Sequence, residues 1–263
     1  MDVVKDVATN LIADIDGVNV GLMRFSRNAD STDDGGPVIQ ELQSVGAIRQ
    51  QMIDTINALP ASGWTPLAET LFEARQYYAG GNVVFGDEGT PVSVAASRVG
   101  GTLSSTTYQT PLQFQCQKNY VVLLTDGAPT RDVAADKLIE GLPGFAENNS
   151  AGASCDGSGS GACLDDLAEH MYESDLNPNM EGIQNITTYT IGFTIDLPLL
   201  ASTAARGGGE YRLADNTSSL AKVLTDIVSS IKKEAFTFTA PAVPVNAFNR
   251  TQNLRDVYVS VFE

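Results

Sequence analysis

A carboxylate stands directly after a short, continuous apolar stretch of the chain. Residues 120–124 read Tyr-Val-Val-Leu-Leu and are followed by Thr125, Asp126 and Gly127. That length and composition predict a strand buried on both faces, as in a parallel sheet. Because ligands bind outside the carboxyl ends of strands in open α/β sheets, Asp126 lies where a ligand is expected. The alternative is that Asp126 only caps a following helix.

A hydroxyl is predicted at the start of a helix in the first half of the chain. Thr65 precedes Pro66, and proline suits the first helical position because its missing N–H is not needed there. The sequence therefore predicts that Thr65 caps a helix running from Pro66 to about Ala79. Gly80 and Gly81 end that helix.

Several other chemical motifs are excluded by their context. The sole histidine, His170, lies in an amphipathic stretch and no Gly-x-Ser-x-Gly accompanies it, so a hydrolase triad is unsupported. Gly207 to Gly209 precede a strand rather than a helix, which argues against a phosphate cradle. Asp132 and the pair Asp33 and Asp34 are interpreted as solvated loop residues, and the alternative is a supporting role behind or at the rim of a site. The pair Asp165 and Asp166 supplies acidic charge to the first turn of a helix.

The three cysteines are Cys116, Cys155 and Cys163. Cys155 and Cys163 bracket a Gly/Ser loop, and their separation allows a disulfide, which favours an oxidising compartment. Cys116 is expected to be buried as a small apolar side chain. Residues 156–160 spell Asp-x-Ser-x-Ser, but we interpret them as a stapled loop. An EF-hand is rejected because Leu167 occupies the position of its closing acid.

The composition is acidic, with 16 basic against 32 acidic residues and a net charge of −16 over 263 residues. Such a surface repels phosphate backbones and anionic headgroups, so nucleic-acid binding is not expected. No apolar run has the length of a membrane span, and no leader follows Met1, so membrane insertion is not expected either. If the protein is exported, its signal must lie outside this sequence.

Strands alternate with helices along most of the chain, which predicts an α/β doubly wound sheet. Strands are predicted at 19–26, 37–45, 120–124, 185–193 and 207–215. Helices are predicted at 3–15, 47–59, 66–79, 131–141, 163–176, 197–205 and 217–233. Two irregular insertions occupy about 82–118 and 142–163. We therefore expect one domain over 1–235, followed at 236–263 by a linker and the start of another domain.

These motifs, in this order, resemble the von Willebrand factor type A family. The family pattern has Asp-x-Ser-x-Ser after a first strand, a Thr-Pro in a later loop and a strand ending in Thr-Asp-Gly. The second element corresponds to Thr65–Pro66 and the third to Thr125–Gly127. The resemblance implies a Rossmann-like fold with helices on both faces and a metal-ion-dependent adhesion site for Mg²⁺, or Mn²⁺ or Ca²⁺, with Thr65 and Asp126 as ligands. The first element and its strand are missing, so metal affinity is expected to be much reduced or absent.

Within that family the chain is most similar to the A domain of PilY-type proteins, the tip-associated biogenesis factors and adhesins of type IV pili. Residues 20–26, 117–127, 163–169 and 245–250 carry this likeness. It implies a non-enzymatic adhesion domain that is exported to the periplasm, outer membrane or pilus surface. Pilin, minor pilins or a host or surface ligand are the implied partners, and a propeller-like domain is expected to follow. The alternative is a structural or mechanosensing module with a vestigial metal site.

Overall fold

The computed structural model describes residues 2–26, 35–60, 63–88 and 90–236. The strands are β1 (Asn19–Met23), β2 (Val38–Ser44), β3 (Asn119–Thr125), β4 (Ile186–Phe193) and β5 (Gly208–Ala214). The helices are α1 (Asp2–Asp14), α2 (Val45–Ala58), α3 (Leu67–Ala79), α4 (Asp136–Glu140), α5 (Leu164–Glu173), α6 (Pro198–Arg206) and α7 (Thr217–Phe236). Each predicted strand and helix has its counterpart, and the boundaries agree to within three residues except at α4, which begins five residues later than predicted.

The centre of the fold is a three-stranded parallel sheet in the order β3-β4-β5. Thr125 pairs with Gly192 at the carboxyl end of β3 and β4. β4 is covered on both faces, and most of its residues are buried, as its β-rich sequence predicts. Parallel neighbours require crossover connections, which α5 and α6 provide on one side of the sheet.

Helices cover both faces of this sheet, so the doubly wound α/β architecture is confirmed. One face packs against α1 and α7 through a cluster that includes Val7, Ile191 and Leu220. The other face packs against α3, α5 and α6 through a larger cluster that includes Leu71, Leu167 and Leu200. The apolar residues that recur with helical periodicity in the sequence therefore face the sheet, as the periodicity predicts.

The two first strands form a separate sheet. β1 and β2 pair in antiparallel fashion and pack beneath α2, whereas β3 forms one edge of the parallel sheet among the described residues. Val122 in β3 is consequently 38% exposed. The prediction that the apolar run is buried on both faces is therefore wrong in part: Leu123 is buried, but Tyr120, Val121 and Leu124 are half-buried and Val122 is exposed. Burial depends on neighbouring elements and not on hydrophobicity alone.

The two predicted insertions are irregular, as their composition indicates. The first contains only short 3₁₀ turns at Phe85–Asp87, Ala95–Ser97 and Val99–Gly101 before β3. The second leads from α4 to α5 and contains the cysteine loop. None of the helices described here is long and apolar enough to cross a membrane. The proposed linker and following domain lie almost wholly outside the described residues.

Candidate functional site

The structure brings Thr65 and the Thr125–Gly127 turn together at the carboxyl end of β3. The backbone oxygen of Thr65 accepts a hydrogen bond of 3.1 Å from the N–H of Thr130, so the two loops are joined by an isolated antiparallel bridge. A Cβ placed on Gly127 would lie 3.3 Å from Oγ1 of Thr65. The two predicted ligand positions therefore occupy neighbouring loops at one edge of the sheet.

The side chain of Thr125 shapes the turn that presents Asp126. Its buried Oγ1 accepts the N–H of Gly127 at 3.1 Å and donates to the Gly127 carbonyl at 2.9 Å. Such local hydroxyl bonds are typical of tight turns. Asp126 itself is exposed, so its carboxylate is available to a ligand in solution.

The prediction that Thr65 caps α3 is wrong. The helix begins at Leu67, directly after Pro66, and no side-chain oxygen of a neighbouring residue caps it. The cap comes from Asp132, whose carboxylate accepts the N–H groups of Ala68 at 2.8 Å and Glu69 at 3.1 Å. The hydroxyl of Thr65 is thus not needed to satisfy the start of the helix.

Asp132 is fully buried, so its interpretation as a solvated loop residue is also wrong. Glu69 completes a reciprocal arrangement, because its Oε1 accepts the N–H groups of Val133 at 3.1 Å and Ala134 at 2.9 Å. Burial raises the pKa of Asp132 to about 6, while the N–H groups of Ala68 and Glu69 oppose that rise. These reciprocal hydrogen bonds of Asp132 and Glu69 fix the loop after Gly127 against the start of α3.

The donor chemistry at this edge fits a hard cation. A hydroxyl from Thr65 and a carboxylate from Asp126 are oxygen ligands of the kind that Mg²⁺ prefers. The buried carboxylates of Asp132 and Glu69 are turned into the backbone of the two loops rather than toward solvent. Among the described residues the site therefore offers few protein ligands, and a cation bound there would take much of its coordination from water.

A second group of carboxylates lies about Arg206, at the end of α6. Ligand oxygens of Asp156, Asp165 and Asp166 lie within 4.8 Å of one another and could hold a metal ion. The guanidinium of Arg206 bonds to all three, at 3.2, 3.1 and 2.6 Å, and also to Glu169. Any cation would have to displace this arginine. The sequence shows the acidic pair in α5, but not that Arg206 reaches it.

The predicted disulfide between Cys155 and Cys163 is formed. Cys163 lies immediately before α5 and is buried, so the bond ties the Gly/Ser loop to the helix and to the core. The expectation for Cys116 is wrong, because this free cysteine is exposed. It lies on the loop before β3, where no helix or strand covers it.

A cation–π pair borders the Thr65 loop. The guanidinium carbon of Arg131 lies 4.5 Å from the ring centroid of Trp64, the residue immediately before Thr65. Trp64 is 37% exposed. Arg131 has a φ of 54°, and Thr194 after β4 has a φ of 59°. Non-glycine residues in this left-handed region are uncommon, and both follow strands at their carboxyl ends.

Comparisons with known proteins are remote. No family model matches the chain, and no curated protein matches it. Two solved structures are similar over most of their length. One is the conserved hypothetical protein BatB from Bacteroides thetaiotaomicron, at 14% identity and a TM-score of 0.44, covering 88% of each chain. The other is an aerotolerance-related membrane protein from Bacteroides fragilis, at 11% identity and a TM-score of 0.42, covering 87% of this chain and 88% of that one.

The fold class rests on the molecule's own topology, namely a parallel sheet with helices on both faces.

Proposed function

We propose that this chain is a non-enzymatic protein-interaction domain of the von Willebrand factor A type. It binds its partner at the carboxyl edge of the parallel sheet. The observation that carries the proposal is the placement of the Thr65 hydroxyl beside the Thr125–Gly127 turn, with Asp126 exposed. Thr65 and Asp126 come from loops some 60 residues apart in sequence, and the fold joins them.

In this proposal the roles of the residues follow from their contacts. Asp126 supplies a carboxylate and Thr65 a hydroxyl to a divalent cation, Mg²⁺ in the first instance. The bound cation supplies positive charge on an otherwise acidic surface. Asp132 does not bind the cation; it holds the start of α3, and so the Thr65 loop, in place. The sole histidine is buried against Phe145 and bonded to Ser174, away from this edge, which favours binding over catalysis.

The more specific part of the proposal concerns the kind of protein that contains this domain, its partners and its location. The likeness of residues 20–26, 117–127, 163–169 and 245–250 to PilY-type proteins supports a role in a tip-associated adhesin or biogenesis factor of type IV pili. The partners are then pilin or minor pilins, or a ligand on a host or surface. The Cys155–Cys163 disulfide supports an exported protein in the periplasm, outer membrane or pilus, because such bonds persist in oxidising compartments.

Calorimetric titration of Mg²⁺ and Mn²⁺ tests the metal site. We expect weak binding that is lost in the double variant Thr65→Ala/Asp126→Asn. The matched control is Asp226→Asn, an exposed carboxylate on α7 that pairs with Lys222. A second comparison, Asp165→Asn/Asp166→Asn, examines the group about Arg206. If that variant loses the metal and the Thr65/Asp126 variant keeps it, the proposed site is wrong.

A second candidate is the structural or mechanosensing module without a working metal site. It is favoured by the small number of protein oxygens that the described residues direct at the strand edge. This candidate would be supported over the metal-dependent one if neither Mg²⁺ nor Mn²⁺ gives a binding signal and purified pilin still binds in EDTA.

A further inference from the structure

Trp64 and Arg131 form a surface element whose chemistry the metal site does not use. The guanidinium of Arg131 lies over the indole ring, with 4.5 Å between the guanidinium carbon and the ring centroid. Both side chains are exposed. A guanidinium that stacks on an aromatic ring keeps its N–H donors at its edge, where they match a carboxylate in a two-pronged geometry.

The backbone holds this pair in position from both sides. Thr130, the residue before Arg131, is bridged to Thr65, the residue after Trp64. Asp132, the residue after Arg131, is buried and caps α3. Arg131 itself is kept in the left-handed region, which is costly for a residue with a Cβ. The pair is thus fixed before any partner arrives, which lowers the conformational entropy lost on binding.

The guanidinium of Arg131 also differs in its charge environment from four other arginines of the chain. Arg49, Arg98, Arg206 and Arg212 each pair with at least one carboxylate. Within the described ranges, the Arg131 guanidinium lies over the ring of Trp64 and forms no hydrogen bond or ion pair with a carboxylate. The chain carries a net charge of −16, so an exposed arginine without an acid stands out.

We propose that Trp64 and Arg131 recognise a carboxylate side chain on an acidic, extended segment of the partner protein, without help from a metal ion. The indole provides apolar contact for the stem of that side chain, and Arg131 bonds to its carboxylate. Trp and Arg are also the residue types that most often dominate binding energy in protein interfaces. This inference deepens the proposed function, because it names the partner class for the same edge of the sheet.

The chain contains a single tryptophan, so its fluorescence and its indole N–H resonance report on Trp64 alone. The probe is a blocked tetrapeptide with two central glutamates, and the matched peptide has glutamines there. Both are titrated in EDTA at physiological salt. We expect the glutamate peptide to shift the Trp64 signals saturably and the glutamine peptide to leave them unchanged.

Two variants remove the guanidinium in different ways. Arg131→Gln keeps a polar side chain, and Arg131→Gly also relieves the left-handed backbone, so the glycine variant should be at least as stable as the parent. Both should weaken glutamate-peptide binding by about tenfold or more, since charge-assisted hydrogen bonds are lost. Arg212→Gln, at another exposed arginine, is the control and should bind like the parent.

The outcomes separate this inference from the metal site. An equal response to both peptides, or unchanged binding by Arg131→Gln, overturns the carboxylate recognition. If Mg²⁺ binds through Thr65 and Asp126 while the glutamate peptide leaves Trp64 unaffected, the proposed metal site stands and this inference fails. If the peptide binds in EDTA and Mg²⁺ does not bind, this inference stands and the metal site fails.

Discussion

The two irregular regions, 82–118 and 142–163, look alike in sequence but are held to the domain by different forces. The first contains no disulfide and is organised around buried polar side chains. The second is closed by the Cys155–Cys163 disulfide and is tied to α6 by Arg206, which bonds to Asp156 and Asn149. The difference shows that a low-periodicity segment can become ordered either through interior hydrogen bonds or through a covalent link.

The first region depends on Arg98 and Glu73. The fully buried guanidinium of Arg98 donates to the Ser93 carbonyl at 2.9 Å and pairs with Asp87. Glu73 on α3 accepts the hydroxyl of Tyr108 at 2.5 Å and the N–H of Phe85 at 2.9 Å. Burial raises the pKa of Glu73, and the bonds from Tyr108 and Phe85 oppose that rise. Each buried group is satisfied by the others, so the loss of one leaves several unpaired.

The second region depends on groups that still reach water. The side chain of Arg206 is 16% exposed, and that of Asp156 is 56% exposed. Arg206 also bonds to Asn149 at 2.7 Å, so several of its contacts are interchangeable. The pair between Arg206 and the exposed Asp156 is screened by solvent and contributes little, so the disulfide is expected to constrain this region more than that pair does.

The largest effect is expected for Arg98→Ala in the first region. It leaves the carbonyls of Ser93 and Ser105 without donors in the interior, and we expect the free energy of unfolding to fall by about 3–5 kcal/mol. Urea denaturation measures this change. Arg49→Ala is the control, because Arg49 and Asp16 form a more exposed pair that should contribute about 1 kcal/mol or less. Similar losses for both variants would contradict the importance of burial.

A pH effect of comparable size is expected from His170, which joins the second region to α5. Its ring contacts Phe145, and its Nδ1 bonds to Ser174, which in turn accepts from Asn148 at 3.0 Å. Burial lowers the pKa of His170 to about 4, assisted by the charge of Arg75. The unfolded chain takes up the proton near pH 6.5, before the folded chain does. The free energy of unfolding should therefore fall by up to roughly 3 kcal/mol between pH 6.5 and 4.

Denaturation curves at pH 7 and 5 check this sign when the parent is compared with His170→Gln. The buried carboxyl of Asp132 has its pKa raised to about 6, so it acts in the opposite direction over the same range. Both chains carry Asp132, and its contribution cancels in the comparison. A stability difference that does not shrink as the pH falls would show that His170 is not buried in its neutral form.

Removal of the disulfide should come next in size. For Cys155→Ser/Cys163→Ser, the chain-entropy model predicts a loss of about 2–3 kcal/mol, because the closed loop is short. Thermal unfolding with and without reductant gives the same comparison in the parent chain. The first region should be unaffected in hydrogen exchange, and faster exchange at Phe85 or Tyr108 would argue that the two regions are coupled.

The smallest effect is expected for Asp156→Asn. This carboxylate is the most exposed of the partners of Arg206, which keeps Asp165, Asp166 and Glu169. The expected loss is below about 1 kcal/mol by urea denaturation. A loss as large as that of the disulfide variant would mean that the ionic cluster, and not the covalent bond, holds the second region.

Local patterns predict much of this molecule because they act over a few residues. The apolar run at 120–124 forms a strand, and the spacing of Cys155 and Cys163 allows the bond that forms. The motif residues Thr65 and Asp126 could be placed at one edge of the sheet from the family resemblance, and the fold does place them on neighbouring loops. Whether they bind a metal stays a prediction.

The cap of α3 shows why the remaining features could not be predicted. Asp132 lies 64 residues from Ala68 in sequence, and nothing in its neighbourhood distinguishes it from a solvated loop aspartate. The same holds for Arg206, whose partners Asn149, Asp156 and Asp166 lie 40 to 57 residues away in sequence. A charged side chain next to glycines and serines reads as exposed, and only the packing around it makes it buried.

The sequence by itself determined the order of strands and helices, the cysteine spacing that allows a disulfide, and the acidic carboxyl-edge motif, since each follows from periodicity or short spacing. The tertiary structure alone decided that β3 is an edge strand with Val122 exposed, that Cys116 faces solvent, and that Arg131 lies over Trp64. The physical reason is that burial and pairing are properties of surfaces brought together by folding. No single segment of the chain carries that information.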